Sequence, residues 1–188
     1  MKVKILNFIA NKCAAFYWAY LKNAIDNYVL NTQKSKFIYF GKNIIFKGGG
    51  TIYHPEKISI GNNVQIGENY FLMGIGGISI DEGTILSRNI CLHSGNHDFK
   101  SLDYLPYNNQ YDRKKITIGK GVWIGQNVNV LPGVSIGDGA IIGMGTTVSK
   151  NINAGEIVVG QSQRIVGTRD NLAIAALIKS NSYFATNF

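Results

Sequence analysis

Proline is scarce in this chain, with three in 188 residues, and cysteine is scarcer, with two. So few prolines exclude a proline-rich linker or low-complexity tail. Cys13 and Cys91 stand alone, so they form no disulfide framework and no metal or redox spacing. Isolated cysteines fit a reducing compartment. No apolar run reaches the roughly 18 residues of a membrane span. Near the N-terminus, Lys2 and Lys4 precede an apolar stretch that Asn7, Asn11 and Lys12 interrupt, which makes a poor secretory signal. The expected location is the cytoplasm. Charged residues make up only 16% and hydrophobic residues 45%, which excludes a disordered chain.

What the chain has in excess is glycine, 22 residues, and positive charge, a net +8. Basic balance points to polyanionic partners: phosphorylated small molecules, a membrane surface or nucleic acid. The lysines read as scattered and no nucleic-acid-binding motif accompanies them, so nucleic acid is not expected. The length suits one domain, or a domain with a small extension.

The glycines keep time. Counting by six from Ile118 gives Ile124, Val130, Ile136, Ile142 and Val148, all aliphatic. The next position carries Gly119, Gly125, Gly137 and Gly143, and four residues after each aliphatic comes a small or β-branched residue, from Val122 to Ile152. A looser tract runs Ile60, Ile66, Leu72, then slips by two residues to Ile80, Leu86, Leu92. A period of six is a very short strand plus a tight turn, with the aliphatic inside and glycine letting the backbone turn. One unit buries nothing alone, so units must wrap and stack at roughly 4.8 Å. An all-β solenoid is the expected fold. Before it, Ile5, Phe8, Ile9, Phe16, Tyr20, Ile25 and Val29 lie at helical spacing. The expected organisation is a helical segment over 1–36, the solenoid over 37–167, and a short helix and tail over 168–188.

The stretch IGKGVWIGQNVNVLPGVSIGDGAIIGMGTTVSKNI, Ile118 to Ile152, resembles the hexapeptide-repeat acyltransferases, above all the sugar O-acetyltransferases of capsule, colanic-acid and O-antigen synthesis. The resemblance covers about Ile58 to Gly167. It implies a left-handed parallel β-helix with three hexapeptides per coil, a hand that spacing cannot reveal. It also implies acetyl-CoA as acyl donor, a sugar hydroxyl as acceptor, no metal, and a homotrimer.

The beat fails after CLHSGNH. If Ile80 opens a coil, three hexapeptides end at His97, and Asp98 to Lys115 then read as an excursion loop containing Tyr104, Pro106, Tyr107, Asn108 and Asn109. The resemblance implies that a histidine at such a corner is the general base and that the loop covers the acceptor. Imidazole suits the task, since it exchanges a proton near neutral pH. Asp98 follows His97 where the galactoside branch has proline, which favours the capsule and colanic-acid branch. Asp98 or another loop acid is a candidate to orient the imidazole. His93 is a candidate substrate contact, and His54, before Pro55, reads as structural.

For the coenzyme, the resemblance implies a groove between two subunits. Carried over by position, Trp123 would border the pantetheine arm and Gln126 would make a polar contact. Met144, where the family usually has alanine, would offer backbone groups. Ser149, Lys150 and Arg164 would stand near the nucleotide, the two cations suiting phosphate oxygens. GQSQR, Gly160 to Arg164, lacks the family's proline, which leaves the reach of Arg164 open. The N-terminal helices would pack on the β-helix end or across a subunit boundary, or else lie at the inner membrane face as peripheral contacts helped by Lys2, Lys4, Lys12 and Lys22. Two other activities fit the scaffold: amino-sugar N-acetyltransferase, and a zinc-dependent γ-type carbonic anhydrase through His54, His93 and His97.

Overall fold

The structure, a computed structural model, describes residues 2–21, 24, 28, 31–32, 34–98, 109–160, 163–168 and 170–180. Sixteen of the nineteen short strands among them wind a three-walled parallel β-solenoid of about six turns. The first wall stacks β1 (Tyr39–Phe40), β4 (Ile58–Ile60), β7 (Ile78–Ile80), β12 (Ile116–Ile118) and β15 (Ser135–Ile136). The second stacks β2 (Ile45–Phe46), β5 (Gln65–Ile66), β8 (Ile85–Leu86), β13 (Trp123–Ile124), β16 (Ile141–Ile142) and β18 (Glu156–Val159), to which β19 (Arg164–Thr168) adds antiparallel. The third stacks β3 (Thr51–Tyr53), β6 (Phe71–Met73), β9 (Cys91–His93), β14 (Asn129–Val130) and β17 (Thr147–Val148). The remaining pair, β10 (Gly95–His97) and β11 (Tyr111–Arg113), is an antiparallel ribbon standing off the solenoid.

The six-residue beat is the core. Ile60, Ile66, Leu72, Ile80, Leu86, Leu92, Ile118, Ile124, Val130, Ile136, Ile142 and Val148 are all buried, and they belong to one continuous cluster. The two-residue slip is a corner device. In the early coils a 3-10 turn, Pro55–Lys57 and then Gly74–Gly76, is inserted between the third wall and the first. Ile60 therefore pairs with Ile80, whereas Ile118 pairs with Ile136, two residues sooner.

The glycine after each aliphatic has a different job from the one its position suggests. Gly119, Gly125, Gly137 and Gly143 are not in the left-handed region. A Cβ on Gly125 would lie 2.7 Å from the Met144 nitrogen of the next coil, so these glycines let backbones stack at close range. The left-handed residue stands two places later, as Gly121, Asn127, Gly139 and Gly145.

Aromatic rings close the N-terminal end of the core: Phe37 meets Phe40 at 5.2 Å, and Phe46 meets Tyr70 at 5.1 Å. At the other end the expected short helix is present as α2 (Asn171–Lys179), capped by the Asp170 side chain, which accepts from the Leu172 and Ala173 amides. Its Ile174 is buried against Gly139. The N-terminal helix α1 (Lys2–Phe16), continued by a π turn over Tyr17–Leu21, departs from one expectation. Ile5, Leu6, Phe8, Ile9, Phe16, Tyr17, Tyr20 and Leu21 are all exposed, so these described apolar side chains of the helix do not pack on the solenoid end within this chain. Ile25 and Val29, read as part of the helical pattern, lie outside the described residues.

Candidate active site

The coil that opens at Ile78 closes earlier than the hexapeptide count implies. Ser94, not His97, is its last residue: the buried Ser94 hydroxyl donates to the Met73 carbonyl at 2.6 Å and accepts from the Gly76 amide at 2.9 Å. The chain then leaves as β10 and returns as β11, and the neck is closed by the Lys114 amide donating to the Ser94 carbonyl at 2.9 Å. His97 therefore sits on the ribbon, one strand out from the corner, rather than at the corner itself. Asn109 is exposed before β11, while Tyr104, Pro106, Tyr107 and Asn108 lie outside the described residues.

His97 pairs with Tyr111 across the ribbon, and the two rings stand 4.4 Å apart between centroids. The imidazole is half-buried and its backbone amide donates to Asn96 Oδ1 at 2.9 Å. It lines an open cleft of about 730 Å³ with Asp98, Tyr111, Leu131, Pro132 and Ser149, among others. Leu131–Pro132 and Ser149 come from the same corner of the two following coils, so the cleft runs along the edge where the third wall meets the first. Sequence reasoning missed Tyr111, Asp112 and Lys114. They belong to no repeat or motif, and only the antiparallel register places them beside the histidine.

The other two histidines stand apart from this cleft. His93 stacks on Phe71, with centroids 6.0 Å apart and planes at 17°. His54 Nδ1 lies 3.0 Å from Glu56 Oε1. The Glu56 carboxyl is held below its ordinary pKa, first by a hydrogen bond from its own backbone and then by His54. Among the described residues no three His, Cys, Asp or Glu side chains are placed to hold a metal.

The six donor-side candidates fall into separate places. Trp123, Gln126 and Met144 line a groove of about 580 Å³ on the second wall, together with Lys47, Gln65 and Arg88. Trp123 projects from the middle of that wall, about half exposed. Ser149 lies in the His97 cleft instead. Lys150 and Arg164 line neither cavity and are both exposed. Gln163, the residue before Arg164, accepts from the Lys150 amide at 3.3 Å. Gln65 is the polar exception in a column that otherwise holds Ile45, Ile85, Trp123, Ile141 and Ile157, and no motif announced it.

The sequence model of the bacterial transferase hexapeptide (six repeats) matches residues 115–150. YvoF of Bacillus subtilis (strain 168), named as an acetyltransferase, is 35% identical over 64% of this chain and 54% of its own length. WcaF of Escherichia coli (strain K12), named as a colanic acid biosynthesis acetyltransferase, is 29% identical over 69% of this chain and 68% of its own. The chain thus spans about half to two thirds of the length of these curated relatives. A solved galactoside acetyltransferase in complex with coenzyme A is similar at a TM-score of 0.56, with 26% identity, covering 71% of this chain and 63% of that one. The matched repeat, the solenoid it winds and these likenesses agree, and the chain is similar to the hexapeptide-repeat transferases over most of its solenoid.

Proposed function

We propose that this chain is an acetyl-CoA-dependent O-acetyltransferase that acetylates a sugar hydroxyl of a surface polysaccharide or its precursor, with His97 as general base. The observation that carries the reading is the ribbon: it leaves the solenoid at the corner between the third wall and the first, and it presents a half-buried imidazole to an open cleft. The names of YvoF, WcaF and the galactoside enzyme supply the acyl chemistry and the sugar class.

The chemistry needs one proton carrier. The imidazole takes the proton as the sugar oxygen attacks the thioester carbonyl. When the tetrahedral intermediate collapses, the carbon–sulfur bond breaks and the imidazolium returns the proton to the departing thiolate. The products are an acetyl ester and free coenzyme A, and no acyl-enzyme forms. Tyr111, its ring tilted 35° against the imidazole at 4.4 Å between centroids, restricts the rotamers of His97, which is the positioning such a base requires.

Assembly is part of the reading. The Trp123 groove lies on the second wall, and His97 lies at the edge between the third and the first. A donor held along Trp123 reaches an imidazole most directly if that imidazole comes from a neighbouring copy. A homotrimer of closed three-fold symmetry provides such a neighbour at every site. Ser149, Lys150 and Arg164 then complete the donor site from the C-terminal end, with the two cations meeting phosphate oxygens.

The test is release of free thiol from acetyl-CoA across a panel of sugars and nucleotide sugars. We expect release that depends on a sugar bearing a free hydroxyl. Lys150→Ala and Arg164→Ala should raise KM for acetyl-CoA more than they lower kcat. Acetylation of amino groups alone would favour the N-acetyltransferase reading instead. No acetyl-CoA binding by calorimetry would overturn the proposal.

A further inference from the structure

The lysines are not scattered by charge balance. Residues 1–55 hold eight lysines and one acid, Asp26, whereas the remaining residues hold eleven basic and ten acidic side chains. Seven of the eight net positive charges therefore fall within residues 1–55. The first coil, β1 to β3, is the terminal layer of the stack, so the lysines in it and in the turn before it stand at one end of the rod. Lys34, Lys36, Lys42 and Lys47 are all exposed there.

The segment that precedes this coil in the chain exposes apolar surface. On α1, Ile5, Ile9 and Phe16 recur at intervals of four and seven, which places them on one helix face. Phe16 is 55% exposed, and Tyr17 and Tyr20 follow it in the π turn. Ile38, two residues after Lys36, is 68% exposed. Lys12 Nζ lies over the Phe8 ring at 5.7 Å from its centroid.

We infer that this end docks on an anionic lipid surface, with α1 lying in the interface and the first-coil lysines facing the headgroups. Charge and apolar area call for that one occupant together. A second copy of the chain would bring like charge against like charge at this end. A nucleic acid would use the lysines but leave the Ile5, Ile9 and Phe16 face in water. An anionic bilayer satisfies both, since apolar side chains enter the acyl boundary while lysines meet the negative surface. No helix among the described residues is long and apolar enough to cross a membrane, so the contact is peripheral. A solenoid docked by one end holds its His97 cleft a few coils above the surface, where an acceptor anchored in lipid would meet it.

The experiment is co-sedimentation of the full chain with vesicles of phosphatidylglycerol and phosphatidylcholine, and with phosphatidylcholine alone. Binding should appear on the anionic vesicles, be weak on the neutral ones, and fall as salt is raised. The triple variant Lys34→Ala, Lys36→Ala, Lys42→Ala should weaken it on the order of a hundredfold. The variant Ile9→Asp, Phe16→Asp should abolish it. Thiol release in the absence of vesicles should be unchanged in both, since none of these residues lines either cavity. Equal binding to both vesicle types, or none to either, would overturn the inference. So would full binding by the Ile9→Asp, Phe16→Asp variant, or dissociation of the assembly by that variant, which would make α1 a subunit contact. Binding to duplex DNA without binding to vesicles would also overturn it.

Discussion

His97 adds little to the core, because it stands half-buried on a two-stranded ribbon rather than in the wall. Its removal can therefore be read as chemistry. His97→Ala should fold normally, bind acetyl-CoA as before by calorimetry, and lose about 10²–10⁴-fold in kcat, the usual worth of a positioned base. Retention of more than about a tenth of kcat would remove it from that role. Tyr111→Ala should cost less and should be partly rescued by Tyr111→Phe, since the contact is between rings. The two cysteines make a second contrast. Burial pushes the Cys91 thiol above its ordinary pKa, because the thiolate is disfavoured where water is excluded. Less thiolate is then present at any given pH below that value. Cys13, exposed on α1, should react with a thiol reagent near neutral pH well before Cys91, and the Cys91 rate should catch up only as pH rises beyond the normal thiol range. Equal rates at neutral pH would contradict this.

At the scale of the hexapeptide, two positions that look alike in sequence answer to different physics. Gly125 is needed because a Cβ there would meet the backbone of the next coil at 2.7 Å. Asn127 holds a left-handed conformation, φ 59°, and its Oδ1 accepts from Asn89 Nδ2 at 2.8 Å. Gly125→Ala should destabilise by about 1–3 kcal/mol, since main chain cannot yield as a side chain would. That corresponds to a fall of roughly 3–10 °C in Tm for a chain of this size. Asn127→Gly should stay within about 0.5 kcal/mol, because glycine adopts the conformation freely and the lost hydrogen bond is exposed. Asn127→Val should cost about 1–2 kcal/mol. Thermal unfolding of the three variants decides whether stacking or turn conformation sets the glycine pattern.

For the whole molecule, the separation of the two cavities is the feature with the largest consequence. If the donor groove of one subunit serves the base of the next, two different inactive variants can rebuild a working site between them. His97→Ala and Trp123→Ala should each be poorly active alone. Mixed in equal amounts, dissociated and reassembled, they should recover about a quarter of wild-type activity, the fraction of subunit contacts that join two intact halves. No recovery in demonstrably mixed trimers would place groove and base within one chain. Charge acts at this scale too. A rod with Lys34, Lys36, Lys42 and Lys47 exposed at one end orients in the field of a charged surface before it makes any contact.

The sequence by itself determined the repeat, and through it the fold. An aliphatic at every sixth position can be buried only by winding, and no other arrangement serves units too small to have cores of their own. It also marked His97, because a break in so regular a chain is visible without coordinates. Only the tertiary structure decided where the coil closes, since that depends on the Ser94 hydroxyl reaching the Met73 carbonyl and the Gly76 amide across a coil boundary. It likewise decided that Tyr111 faces His97, a matter of antiparallel register, and that Trp123 and Ser149 line different cavities. Those are distances between residues far apart in the chain, and a period of six carries no information about them. The charged end lay between the two cases. Its lysines could be counted from the start, but they became a surface only when the first coil proved to be the end of a stack.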